Sequence, residues 1–143
     1  MTKIKLFSVI LFAFFFIAGI SAQSVLGVWK TVDDKTGKPK SHIQLYEKQG
    51  KLFGKVVKLL PDATTKVCNN CPGKLNGKSL LEIDVLWDME KVKNGYDNGR
   101  IVDPADGKVY RCKLHLSDPN TLTVRGYIGI SLLGRNQTWH RVE

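Results

Sequence analysis

Val109-Tyr110-Arg111-Cys112-Lys113-Leu114-His115-Leu116-Ser117 alternates strictly: Tyr110, Cys112, Leu114 and Leu116 share one face, while Arg111, Lys113, His115 and Ser117 share the other. Successive side chains of an extended chain leave opposite faces, so this stretch reads as a β-strand with one dry and one wet side. Asp118-Pro119-Asn120 supplies the turn that follows, and Leu122, Val124 and Gly126 carry the dry face into a second strand.

Working outward, the same unit recurs. In Ser41 to Lys48, Ile43 and Leu45 lie on one face and His42, Gln44, Tyr46 and Lys48 on the other. Gln49-Gly50 then joins that strand to Lys51–Leu60 with the short glycine loop of a hairpin. A last strand spans about Arg135 to Val142. Asn94-Gly95, Asn98-Gly99 and Asp103-Pro104-Ala105-Asp106-Gly107 mark further turns. Only Leu80 to Val92 has a helical option, against which its β-branched and aromatic content weighs. Pro61 to Gly77 is the longest irregular stretch, and neither an internal repeat nor a domain linker is apparent. An antiparallel meander of this length buries its edges by closing. The expected fold is therefore all-β, a small up-and-down antiparallel β-barrel of about eight strands, with a sandwich as the alternative. Such a barrel is either filled by side chains or just able to hold one small ligand.

The chain opens with Lys3 and Lys5, runs apolar from Leu6 to Ile17, and closes with Gly19, Ser21 and Ala22 ahead of Gln23. That order is expected of a secretory signal peptide over residues 1–22. The apolar run is shorter than the roughly 20 residues of a membrane span. The first cysteine is Cys68, so no lipid-anchoring thiol follows the expected cleavage site. Residues 23–143 are expected to form one domain of an exported, periplasmic or secreted protein. Removing the two leader lysines takes the net charge from +9 to +7. Export argues against a nucleic-acid partner, and the basic surface leaves peripheral contact with anionic envelope components open.

Cys68-Asn69-Asn70-Cys71 in an exported chain is expected to be a structural disulfide. A redox-active dithiol and a metal pair are the other readings. Cys112-x-x-His115 would complete four zinc ligands, but residues three apart on a strand leave opposite faces, so no metal site is expected. Cys112 reads as a small buried hydrophobe. No nucleophile elbow, zinc helix or phosphate-binding glycine loop is present, so neither catalysis nor a cofactor is expected, a thiol-redox role of Cys68 and Cys71 apart. His42, His115 and His140 fall on polar faces. Glu82, Asp84, Asp88 and Glu90 share an even spacing that reads as a polar outer face, with an acid/base or calcium cluster as the alternative.

Gly27-Val28-Trp29 resembles the Gly-x-Trp signature of lipocalin-like barrels. The resemblance implies that Trp29 packs at the closed end of the barrel beneath an arginine of the last strand, a place that Arg141 fits. A wider string points the same way: Cys68-x-x-Cys71-Pro72-Gly73, Gly99-Arg100-Ile101-Val102-Asp103-Pro104, Gly107-Lys108-Val109-Tyr110, Arg125-Gly126-Tyr127 and Gly134-Arg135-Asn136-Gln137-Thr138-Trp139-His140-Arg141. Together these resemble the exported bacterial domain-of-unknown-function 2147 family, covering nearly all of residues 23–143. The resemblance implies a lipocalin-like (calycin) barrel and no established activity. Glu82 and Cys112 depart from the pattern.

Arg135, Gln137, Trp139 and Arg141 share one parity on the last strand. With Trp29, Ile43, Leu45, Tyr110, Leu114 and Val124 lining a lumen, an inward Arg135 needs an anionic partner. The carboxylate of an amphipathic ligand would serve. The expected ligand-binding set is thus Trp29, Tyr110, Arg135, Gln137, Trp139 and Arg141, holding a small apolar or amphipathic molecule. The alternative is an exposed Arg135 at the rim of a filled barrel, which would make the protein a non-catalytic envelope interaction module. Ile130, Leu132 and Leu133 then read either as ordinary packing or as an apolar lip.

Overall fold

The computed structural model describes residues 23–130 and 132–142; the expected leader, residues 1–22, lies outside them. Eight strands follow in order: β1 (Gly27–Val32), β2 (Pro39–Lys48), β3 (Lys51–Leu59), β4 (Asp84–Val92), β5 (Gly95–Val102), β6 (Val109–Asp118), β7 (Thr121–Tyr127) and β8 (Gly134–Arg141). Each pairs antiparallel with the next, and β8 returns to β1 through Trp29 opposite Arg141 and Lys30 opposite His140, which closes the barrel. The up-and-down barrel expected from the alternating pattern is the observed fold. Tight turns after β2, β4 and β6 form one end, which the segment before β1 crosses. The connections after β1, β3, β5 and β7 form the other end, the mouth.

The segment with a helical option resolves into a single 3-10 turn, Leu80–Glu82, followed by β4. Ser79 caps the turn by accepting the Leu81 N–H at 3.3 Å. Asp88 sits at φ +55°, and this kink lets Leu86 and Met89, three residues apart, both point inward with no exposed surface. The kink gave the segment its helix-like spacing. It also breaks the even register of Glu82, Asp84, Asp88 and Glu90. Asp84 instead accepts the Tyr46 hydroxyl at 2.8 Å, and Glu90 lies 3.9 Å from Lys51.

Two mouth connections are near copies of one another. Val32-Asp33-Asp34-Lys35-Thr36-Gly37-Lys38 and Val102-Asp103-Pro104-Ala105-Asp106-Gly107-Lys108 share Val-Asp-x-x-x-Gly-Lys, a short repeat where none was expected. In each the aspartate N–H bonds the lysine carbonyl at 2.8 Å, and the glycine N–H returns to the aspartate carbonyl at 2.7 and 2.8 Å respectively. The long connection after β3 is tied by the Cys68–Cys71 disulfide, and both sulfur-bearing residues are buried in the core with Leu80 and Ile83. Gly107, at φ +75°, lies so close beneath the Asn70 carbonyl that no side chain fits between them. The disulfide loop and the second copy of the repeat are therefore packed together across the mouth.

Inward-facing positions interdigitate through the barrel. Trp29, Leu45, Leu52, Leu86, Met89, Cys112, Leu114, Leu122, Val124 and Trp139 are each less than 2 % exposed or at that limit. Inward glycines receive the bulkier neighbours: a Cβ on Gly54 would lie 3.0 Å from Leu45 Cδ2 and 3.2 Å from Leu86 Cβ, and one on Gly99 would collide with the Met89 thioether. Alternating small and large residues is how a tapering barrel is filled. The interior is a packed core.

Candidate functional site

The six residues of the expected ligand set divide between the two ends. At the closed end the Arg141 guanidinium lies 4.3 Å from the centre of the Trp29 ring. It donates to three backbone carbonyls, from Nε to Pro119 at 2.8 Å, Nη1 to Leu26 at 3.1 Å and Nη2 to Ser24 at 2.7 Å. The Trp29 indole N–H donates to the Val25 carbonyl at 2.8 Å. Every polar atom of this pair that can donate to the chain's own backbone does so. Trp29 itself is fully buried.

Nearer the mouth, Trp139 donates its indole N–H to Gln137 Oε1 at 3.3 Å, and Gln137 Nε2 donates to Asp34 Oδ2 at 3.3 Å. Arg135 meets the same Asp34 oxygen through Nε at 3.2 Å and reaches Asp103 through Nη2 at 3.9 Å. Arg135 thus ties β8 to both copies of the repeat. Its side chain is 63 % exposed, so it stands at the rim. The anionic partner that its parity called for is supplied by Asp34 and Asp103 of the chain itself. Tyr110 bonds Asp106 at 3.3 Å, and burial followed by the Asp106 charge pushes its hydroxyl above the ordinary tyrosine range.

Polar satisfaction inside the barrel is complete among the described residues: no buried side-chain nitrogen or oxygen lacks a partner. Even the buried Thr31 and Ser41 hydroxyls bond each other at 2.8 Å. Cys112 is a buried free thiol, and burial, then the Asp97 charge, pushes it up to about 12. Among the described residues no cluster of three or more histidine, cysteine or acidic side chains is placed to hold a metal ion.

The wet face of the strand that decided the fold carries a different arrangement. A groove of about 330 Å3 runs over the outside of β6, β7 and β8, lined by Lys113, His115, Thr123, Arg125, Asn136 and Leu132. Lys113 is directly opposite Arg125 in the sheet, and Arg100 is directly opposite Arg111 on the neighbouring pair. Like charges facing each other across a ladder are destabilising. Arg125 Nη1 donates to Asn136 Oδ1 at 2.9 Å and Nη2 to the Leu132 carbonyl at 3.3 Å, which fixes the guanidinium and holds Leu132 at the groove edge. Arg111 lies 5.6 Å from the centre of the Tyr127 ring, whose hydroxyl bonds Asp97 at 3.0 Å. Among the described residues no carboxylate lines the groove. Sequence reasoning placed Lys113 and His115 on a solvated face and missed their neighbours; the signal lies in strand register, which alone sets Lys113 against Arg125.

The family described as "Uncharacterized protein conserved in bacteria (DUF2147)" matches residues 27–141. Among solved structures, the chain is similar to the Helicobacter pylori protein titled "Protein HP1028 from the human pathogen Helicobacter pylori belongs to the lipocalin family". The two share 23% identity, with 84% of each chain covered and a TM-score of 0.73, a likeness of fold. A search of curated proteins found no match.

Proposed function

The chain belongs to the DUF2147 family of uncharacterised bacterial proteins, and from that premise we propose that it is an exported, non-catalytic binding module for an anionic amphipathic molecule, held on the outside of its barrel. The observation that carries this reading is the groove in which Lys113 faces Arg125, with no carboxylate among the described residues that line it. An anion placed there relieves the like-charge contact and accepts charge-assisted hydrogen bonds. Leu132, at the groove edge and 82 % exposed, offers an apolar surface for the rest of the molecule.

Lipocalin-type barrels hold a small ligand when the interior is open. Here the packed interior and the absence of an unpaired buried polar atom among the described residues favour an outer site over a lumenal one. A lumenal ligand on Arg135 and Gln137 would have to displace Asp34 and Asp103. Titration calorimetry with dodecyl phosphate below its micellar concentration separates the two sites. Saturable one-to-one binding that Lys113→Glu abolishes and Arg135→Ala leaves intact is expected. Loss on Arg135→Ala with full binding by Lys113→Glu would overturn the outer site in favour of the lumen.

A further inference from the structure

We infer that the β7–β8 loop docks the protein on an anionic lipid bilayer, with its aliphatic side chains entering the interface and the basic outer face of β6 and β7 lying over the headgroups. Within six residues the loop exposes Ile128 (63 %), Ile130 (60 %), Leu132 (82 %) and Leu133 (65 %). Singly exposed aliphatic side chains are ordinary, whereas a contiguous set marks an interaction surface. The loop is held in this presentation by its own bonds, Ile128 N–H to the Leu133 carbonyl and Leu133 N–H to the Ile130 carbonyl, each 3.0 Å, and by Arg125 on Leu132.

Charge selects the occupant. On β6 and β7, the strands that lead to the loop, the chain carries Arg111, Lys113 and Arg125 against one carboxylate, Asp118, which lies at the opposite end of the barrel from the loop. An aliphatic tip bordered by arginine and lysine is the composition of a surface that lies in an anionic bilayer interface. A second copy of the chain would bring two faces of like charge together, and is the less favourable occupant. The docking rests in part on the groove reading, since the groove adjoins the tip and would seat a headgroup phosphate.

The test is co-sedimentation of the purified protein with vesicles of mixed phosphatidylglycerol and phosphatidylcholine, compared with phosphatidylcholine alone. Partition at least tenfold stronger on the anionic vesicles is expected, falling as salt is added because exposed charges are screened. Leu132→Glu changes a side chain that touches little, so the fold is kept; it is expected to lower partition tenfold or more. In Leu132→Trp the added indole is expected to shift its emission to the blue on anionic vesicles. An unmoved emission, or equal partition of Leu132→Glu and the unaltered protein, would overturn the docking. A concentration-dependent dimer abolished by Leu132→Glu would also overturn it, in favour of self-association. Dodecyl phosphate binding without vesicle binding defeats the docking alone, whereas vesicle binding without dodecyl phosphate binding defeats the groove reading and leaves the loop's insertion standing.

Discussion

Replacing Arg141 by alanine tests whether the closed end of the barrel is held as the Gly-x-Trp motif implies. The guanidinium makes three hydrogen bonds to carbonyls of two separate segments, the one before β1 and the β6–β7 turn, and covers the Trp29 ring at 4.3 Å. Hydrogen bonds from a charged donor contribute about 1.5 to 3 kcal/mol when sheltered, and about 1 kcal/mol each is the fair figure for this half-exposed side chain. The cation over the indole adds about 1 kcal/mol. Because one group makes all four contacts they are not independent, and a loss of about 3 kcal/mol is expected. For a domain of this size that lowers Tm by about 12 °C. Urea titration followed by tryptophan emission and far-ultraviolet circular dichroism measures the loss. Arg141→Lys keeps the charge but not the planar fork, so it is expected to restore no more than about half. A loss below about 1 kcal/mol in Arg141→Ala, or complete rescue by lysine, would refute the reasoning.

Other outcomes follow from the same packing. Leu114→Ala removes a side chain that is 2 % exposed in a filled interior, and is expected to cost about 3 kcal/mol in urea titration; a cost under about 1 kcal/mol would mean the barrel is loosely filled. Gly107→Ala drives a Cβ into the Asn70 carbonyl, whereas Gly37→Ala at φ +68° meets nothing, so the first is expected to be destabilised by about 2 kcal/mol more than its counterpart in the twin loop. Joint Cys68→Ala and Cys71→Ala is expected to lose about 2 kcal/mol from loop closure alone on the chain-entropy model, read as a lowered urea midpoint under oxidising conditions. Cys112 has its pKa raised by burial from 9.0 to about 12, so the contribution is full below pH 9 and is lost as pH rises towards 12. One thiol is expected to react with a disulfide reagent at pH 8 in urea and none in the native protein; prompt native reaction would contradict the burial.

How much could be read beforehand depended on how far each inference reached along the chain. Strict alternation in β2 and β6 is a local property, and it located strands whose Ile43, Leu45, Cys112 and Leu114 are indeed buried. Cys68 and Cys71 are bonded to one another, as the export reading of their spacing expected. The kink at Asp88 was illegible because aspartate, although one of the few residue types that tolerate φ +55°, far more often sits at ordinary angles, and the kink converts a two-residue period into an apparent three-residue one. Arg135 shows the same limit at longer range. Its parity on β8 was readable, but Asp34 lies about a hundred positions away in sequence and only closure of the barrel brings it near. The facing of Lys113 and Arg125 likewise depends on the β6–β7 register, which the Asp118-Pro119-Asn120 turn constrains without spelling out.

Two features of the outer face are unfavourable to the isolated protein. Lys113 facing Arg125 and Arg100 facing Arg111 each cost roughly a few tenths of a kcal/mol, and an acidic substitution on either strand would remove the cost. Four aliphatic side chains held in water by a hydrogen-bonded loop forgo the stabilisation that burial would bring, about 1.5 kcal/mol or more for each. Among the described residues the interior carries no comparable penalty: its buried polar side chains are paired and its glycines make room for their neighbours. In a chain whose packing is otherwise locally consistent, conflicts gathered on one face mark where a partner contributes. They fall on β5 to β7 and the β7–β8 loop, away from Trp29 and Arg141. Binding on that face requires no opening of the barrel, so affinity should respond to changes at Lys113 and Leu132 while global stability hardly moves.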